Sequence, residues 1–106
     1  MDTIFTMHAD ICKTFAHAKR LEIINALREK EMSASQLLKK IKISKANLSQ
    51  HMGILIQKGV IIARREGINI FYRLSDARII KACDLMREVL IKRLEDNTKI
   101  LMTLKN

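Results

Sequence analysis

Two groups of side chains in this sequence carry reactive or recognition chemistry. The first is thiol and imidazole: Cys12 and Cys83, with His8 four residues before Cys12. Residues four apart on a helix share a face, so His8 and Cys12 offer a nitrogen and a sulfur to one side. Two donors are not a metal site, since zinc takes about four ligands, and Cys83 would have to join them. Cys12 and Cys83 could instead form a disulfide or persulfide bridge. The plainer reading makes both small buried hydrophobes, as free cysteines usually are. The second group is Ser44, Lys45, Asn47, Ser49, Gln50 and His51. Asn and Gln bond adenine bidentately, Lys reaches guanine or phosphate, and Ser serves either. His51 reads equally as a base contact and as a residue that holds its helix in place. Arg64, Arg65 and Asn69 follow, types that touch phosphates or enter a minor groove.

Charge is concentrated around the second group. From Lys39 to Arg73 there are eight basic residues and one acid, Glu66, which is seven of the nine net positive charges. Residues 1–38 sum to zero and residues 74–106 to +2. Cations gathered in one segment suit a polyanion, because they displace counterions from phosphates. With three Phe, one Tyr and no Trp, the chain lacks the aromatic platforms on which single strands stack. Phe71 and Tyr72 read as wing and core packing.

The elements that must position these groups follow from periodicity. Ile4, His8, Ile11 and Phe15 mark a helix over about 3–16; Leu21, Ile24 and Leu27 mark a second over 18–30. Ser33 and Gln36 form a capping box for a third helix, with Leu37, Leu38 and Ile41 inward. Ser44 caps a fourth after a short turn, with Leu48, Met52, Leu55 and Ile56 inward and Gly59 as its stop. Val60–Arg65, β-branched and extended, and Ile70–Leu74, alternating, then form two strands about the turn Glu66–Asn69. Ser75 or Asp76 caps a last helix to about residue 104, roughly 40 Å long at ~1.5 Å per residue. Its apolar positions cover more than one face, which calls for a partner subunit.

The expected fold class is mainly α with a small β-hairpin: four helices, two strands and a fifth helix, a winged helix-turn-helix. One domain spans residues 1–106, with the helix-turn-helix at about 33–58, the wing at about 60–74, and dimerisation helices at about 3–16 and 76–104. The composition, 48% hydrophobic, excludes a disordered polycation. No signal peptide is evident after Met1-Asp2-Thr3-Ile4, and no apolar run is long enough for a bilayer. Two cysteines are too few for a disulfide scaffold, so a cytoplasmic location with reduced thiols is expected. No triad, glycine-rich phosphate loop or paired acids suggest an enzyme, and no cofactor is expected.

The run Ile43-Ser44-Lys45-Ala46-Asn47-Leu48-Ser49-Gln50-His51-Met52, with Leu55, Lys58-Gly59-Val60-Ile61, Arg64-Arg65-Glu66-Gly67 and Phe71-Tyr72-Arg73-Leu74, resembles the arsenical-resistance/metallothionein repressor family (ArsR/SmtB). Phe15-Ala16-His17-Ala18-Lys19-Arg20-Leu21-Glu22-Ile23-Ile24 resembles the start of that family's second helix. The likeness covers roughly residues 10–90 and departs at Ala46, where the family often has a second Ser. It implies a homodimer paired through its first and last helices, which represses a double-stranded DNA operator and releases it when an inducer binds. Many relatives carry thiolates where this chain has Glu31-Met32-Ser33-Ala34-Ser35, and neutral Ser is a poor ligand for a soft metal. Others bind zinc on the last helix, where this chain has Asp76-Ala77-Arg78 and then Val89 and Lys92. Both familiar metal sites are therefore expected to be absent. Relatives that sense oxidants with a cysteine pair carry it elsewhere, so a Cys12/Cys83 switch would match them in idea and not in position. The competing function is a winged-helix module that docks a partner protein through its basic surface. A repressor sensing a metal or metalloid at a non-standard site is a further alternative.

Overall fold

The computed structural model describes residues 3–105; Met1, Asp2 and Asn106, which the one-domain span and the N-terminal reading also include, lie outside the described residues. Thr3 opens α1 (Ile4–Phe15), its hydroxyl accepting from the Thr6 amide at 3.2 Å. His17 opens α2 (Ala18–Ala26), with Nδ1 accepting from the Lys19 amide at 3.3 Å. α2 ends four residues before the expected 30. Its C-cap is Leu27, and the charged run Arg28-Glu29-Lys30-Glu31 has no apolar side chain with which to extend the buried face.

A short strand, β1 (Met32–Ser33), then pairs with the returning wing strand, Met32 opposite Tyr72 and Ser33 opposite Phe71. The expected two-stranded hairpin is therefore a three-stranded antiparallel sheet of order β1-β3-β2. Two residues are too few for a period-2 signal in sequence. The pairing satisfies backbone groups that burial of Met32 would otherwise strand. Ser33 ends β1 and also caps α3 (Ala34–Lys40), with both halves of the capping box formed: Gln36 N–H to Ser33 Oγ at 3.2 Å and Ser33 N–H to Gln36 Oε1 at 2.8 Å.

α4 (Lys45–Gln57) closes with Gly59 at φ 75°, the left-handed conformation that glycine adopts without strain. The Gly59 amide donates to the Ile56 carbonyl at 3.0 Å and the Val60 amide to the Leu55 carbonyl at 2.9 Å, the paired bonds of a Schellman motif. β2 (Ile61–Glu66) and β3 (Asn69–Leu74) pair from Ile61↔Leu74 to Glu66↔Asn69, with Gly67 at φ 63° in the tip. α5 (Arg78–Lys105) is 28 residues long, and Asp76 Oδ1 accepts from the Arg78 amide at 2.8 Å at its start.

The core is Ile23, Ile24, Leu27, Met32, Leu37, Ile41, Leu48, Met52, Leu55, Val60 and Ile61. Ile23 takes the fully buried place on α2, while Leu21 is only half-buried. Ile56, expected inward, is 39% exposed. It faces the space between α4 and the sheet, which nothing larger than Tyr72 fills from the other side. α5 buries no residue completely; Ile79, Ile80 and Cys83 lean on the core. Asp84 anchors it by accepting two bonds from the Arg28 guanidinium, at 2.7 and 3.3 Å.

Candidate nucleic-acid interface

α4 buries Leu48, Met52 and Leu55 and exposes Lys45, Ala46, Asn47, Ser49 and Gln50. At 3.6 residues per turn, Gln50 lies roughly 200° around from Leu48, so it heads the outward ridge. Ala46 and Gly53 stand on either side of it, and a Cβ on Gly53 would meet nothing within 4 Å. Small neighbours leave Gln50 the longest reach on that ridge. Ser44 is exposed, and its hydroxyl accepts from the Asn47 amide at 3.1 Å. Its first task is to cap α4; the hydroxyl proton stays free to donate.

Lys45 and Ser49 border a groove toward the wing, shared with Ser35 and Tyr72. Asn47, Gln50 and His51 border a cavity of about 670 Å³ on the other flank, walled by His17, Lys19, Arg20 and Lys42. The alternatives for His51 meet here. Its Nδ1 accepts from Arg20 Nε–H at 3.2 Å, and its ring meets His17 edge-on with centroids 4.5 Å apart. Burial first, then His17 and Arg20, hold its pKa below the ordinary histidine value. Arg20 in turn donates to the Thr14 carbonyl at 3.3 Å. One guanidinium therefore ties the end of α1 to the recognition helix. The sequence reading missed this, because Arg20 stands in a run of charges that looks merely solvated.

The wing departs from expectation at Arg64. Its guanidinium donates to Glu31 and, at 2.8 Å, to Glu66, and it lies 4.9 Å above the Phe71 ring. Both carboxylates raise its pKa, and Arg64 lowers that of Glu31. Its charge is spent inside the chain, bracing the hairpin against the strand before α3. Arg65 and Arg73 are exposed and make no ion pair among the described residues, and neither do Lys39, Lys40, Lys42 and Lys45. Asn69 is exposed at the wing tip. The alternation Arg64-x-Glu66 placed a carboxylate on Arg64's own side of the strand and was the available signal for the brace.

The two thiols come together on one cavity. Cys12, exposed, and Cys83, half-buried, both line an apolar space of about 850 Å³ between α1 and α5, with His8, Phe15, Met86 and Leu90. Both are free thiols. Burial pushes the Cys83 thiol above its usual pKa, against thiolate formation. Among the described residues no three His, Cys, Asp or Glu side chains gather to hold a metal, and no helix is long and apolar enough to cross a membrane.

A capped recognition helix, a helix packed behind it and a basic three-stranded wing define the winged helix-turn-helix class. Residues 17–63 match the family described as bacterial regulatory protein, arsR family. The HTH-type transcriptional regulator Rv0081 of Mycobacterium tuberculosis (H37Rv) is 31% identical over 98% of this chain and 92% of its own length. A biofilm growth-associated repressor of Agrobacterium fabrum is 39% identical over 77% of this chain and 73% of its own. The crystal structure of Rv0081 superposes with a TM-score of 0.82 over 92% of this chain and 99% of that one. That of the transcriptional repressor BigR from Xylella fastidiosa, 33% identical, superposes at 0.71 over 76% and 83%. The chain belongs to the arsR family of bacterial regulatory proteins.

Proposed function

We propose that this chain is a homodimeric, sequence-specific DNA-binding repressor that leaves its operator when an inducer binds. The observation that carries it is the outward face of α4: Lys45, Asn47, Ser49 and Gln50 all exposed, with Lys42 beside them, and neither lysine in an ion pair among the described residues. α4 enters the major groove, which admits one helix. Gln50 and Asn47 read base edges, Lys45, Ser44 and Ser49 set the register on base or phosphate, and Arg65 and Asn69 touch the backbone beside it. Arg64 keeps the wing in shape, and Arg20 holds the His51 ring in place. Relatives named as repressors support the sign of regulation. A duplex target places the protein in the cytoplasm.

The homodimer is supported by apolar side chains that one copy leaves in water. Ile4 and Phe5 on α1 are 73% and 79% exposed, and Leu90, Leu94 and Leu101 on α5 are 53%, 55% and 57% exposed. Monomers rarely expose contiguous apolar patches of this kind. Release through Cys12 and Cys83 is supported by their common cavity on that same face. A two-electron oxidation by a peroxide or polysulfide would join them and shift α1 against α5. Cys12 is the more exposed of the two and so the sulfur an oxidant meets first.

Selection from a random duplex library tests the reading. Enriched sites should be inverted repeats with half-sites one helical turn apart, about 10 base pairs centre to centre. No enrichment, with equal binding to every duplex or to none, favours a protein-docking module. Cys12→Ser and Cys83→Ser proteins that release the selected duplex normally under peroxide and polysulfide exclude the thiol route.

A further inference from the structure

We infer that the cavity between the start of α2 and the recognition helix is a seat for one DNA backbone phosphate, with Lys42 as its cation and the His17 and His51 imidazoles as neutral donors. This rests on the reading of the chain as a DNA-binding regulator and adds residues outside the recognition helix and the wing.

The cavity's chemistry is one-sided. Its walls include Lys19, Arg20, Lys42, His17, His51 and Asn47, and no acidic residue. Lys19 is partly answered by Glu22 at 3.1 Å, and Arg20 is committed to His51 and the Thr14 carbonyl. Lys42 is exposed and has no ion-pair partner among the described residues. It is the cation left over.

The histidines are set as donors. Each Nδ1 already accepts a hydrogen bond, His17 from the Lys19 amide at 3.3 Å and His51 from Arg20 Nε at 3.2 Å. A neutral imidazole whose Nδ1 accepts carries its proton on Nε2. Two Nε2–H groups therefore remain on rings 4.5 Å apart, at the wall of one concave and positive space. Donors with no acceptor among the described residues, beside a lysine with no ion pair among them, suit a tetrahedral anion. Asn47 and Gln50 line the same space. A duplex seated on the outward face of α4 would bring its flanking strand across this opening, and a phosphodiester oxygen is the anion it offers. Lys42 thus joins the backbone-positioning set, and Arg20 is a positioning residue that acts through His51.

A methylphosphonate scan of a library-selected duplex, with wild type and Lys42→Ala, decides it. Each neutral methylphosphonate removes one phosphate charge. At one position per half-site the substitution should weaken wild type by clearly more than it weakens Lys42→Ala, which keeps only the two imidazole donors, the mark of a coupled pair. Lys42→Ala should weaken selected and scrambled duplexes alike, by up to about eightfold at 0.1 M salt, and lower the salt slope by about 0.9. Lys42→Arg should restore both. The melting curve of Lys42→Ala controls for folding, since Lys42 is exposed and is not a core residue. The inference is overturned if wild type binds with a steep salt slope while Lys42→Ala keeps that affinity and slope, or if the two changes are independent at every phosphate. Wild type that binds no duplex at any salt overturns the DNA-binding reading itself.

Discussion

Gln50 and Arg65 differ in what they can know about a duplex. Gln50 stands at the head of the outward ridge of α4, where an amide reaches base edges. Gln50→Ala should cost about 1–3 kcal/mol on the preferred site and relax choice at one base pair. Arg65, exposed on the wing and in no ion pair among the described residues, is the residue proposed to meet backbone alone. Arg65→Ala should weaken every duplex equally and flatten the salt dependence by about one unit of slope. Arg64 looks equivalent in sequence and is not. With Glu31 and Glu66 already on its guanidinium, Arg64→Ala should lower the melting temperature and leave the salt slope nearly unchanged. Binding isotherms at several salt concentrations separate the three. Equal loss of specificity in Gln50→Ala and Arg65→Ala would mean that the groove assignment is wrong.

The elements were legible wherever short-range rules decide them. The capping box at Ser33 and Gln36, the Ser44 cap and the Gly59 stop each depend on residues within a turn of one another, so the sequence displays them whole. β1 was invisible because its two residues gain strand geometry only from Tyr72 and Phe71, some forty positions away. The early end of α2 was hidden for a related reason: Arg28 is held by Asp84 of α5, a contact that no local pattern announces. The recognition residues were readable as types. The Arg64 brace and the Arg20–His51 link were not, since each joins elements about thirty residues apart.

Those long-range ion pairs, with the local Asp76–Arg78 pair, also set how the elements respond to acid. Arg28 lowers the pKa of Asp84, Arg64 lowers that of Glu31, and the Arg78 side chain and amide hold Asp76 at about 2. A carboxyl whose pKa falls on folding stabilises the fold fully above its unfolded value of about 4, and that stability is lost as pH falls through the folded value. Melting temperature should therefore fall slightly below about pH 6.5, where the lowered His51 pKa favours proton uptake by the unfolded chain, and decline chiefly between about pH 4 and 2. Asp84→Asn should melt lower at neutral pH and show a shallower acid decline. By contrast Leu55→Ala, at a fully buried position, should cost about 2–5 kcal/mol at any of these pH values.

At the scale of the whole molecule, one copy is more extended than a compact chain of its length. Its radius of gyration is 17.1 Å, against about 13 Å for a compact chain of this length. The excess is α5, whose far half carries Leu94, Ile100, Leu101, Met102 and Leu104 into solvent. Two copies joined along α1 and α5 would cover those residues and hold two recognition helices at a set spacing. Sedimentation should give a mass of two chains, and Leu94→Glu with Leu101→Glu should give one chain that still melts cooperatively, because neither residue belongs to the core. Such a monomer should lose affinity for an inverted repeat far more than for a single half-site.

The most direct test of recognition through α4 is the affinity of wild type and Gln50→Ala for a library-selected duplex and its scrambled counterpart, across a salt series. Wild type should prefer the selected duplex by about 10³-fold or more, with a steep salt slope on both duplexes. Gln50→Ala should lose much of that preference while keeping the slope. Wild type that binds both duplexes equally, or Gln50→Ala that keeps the full preference, would contradict base reading by the outward face of α4.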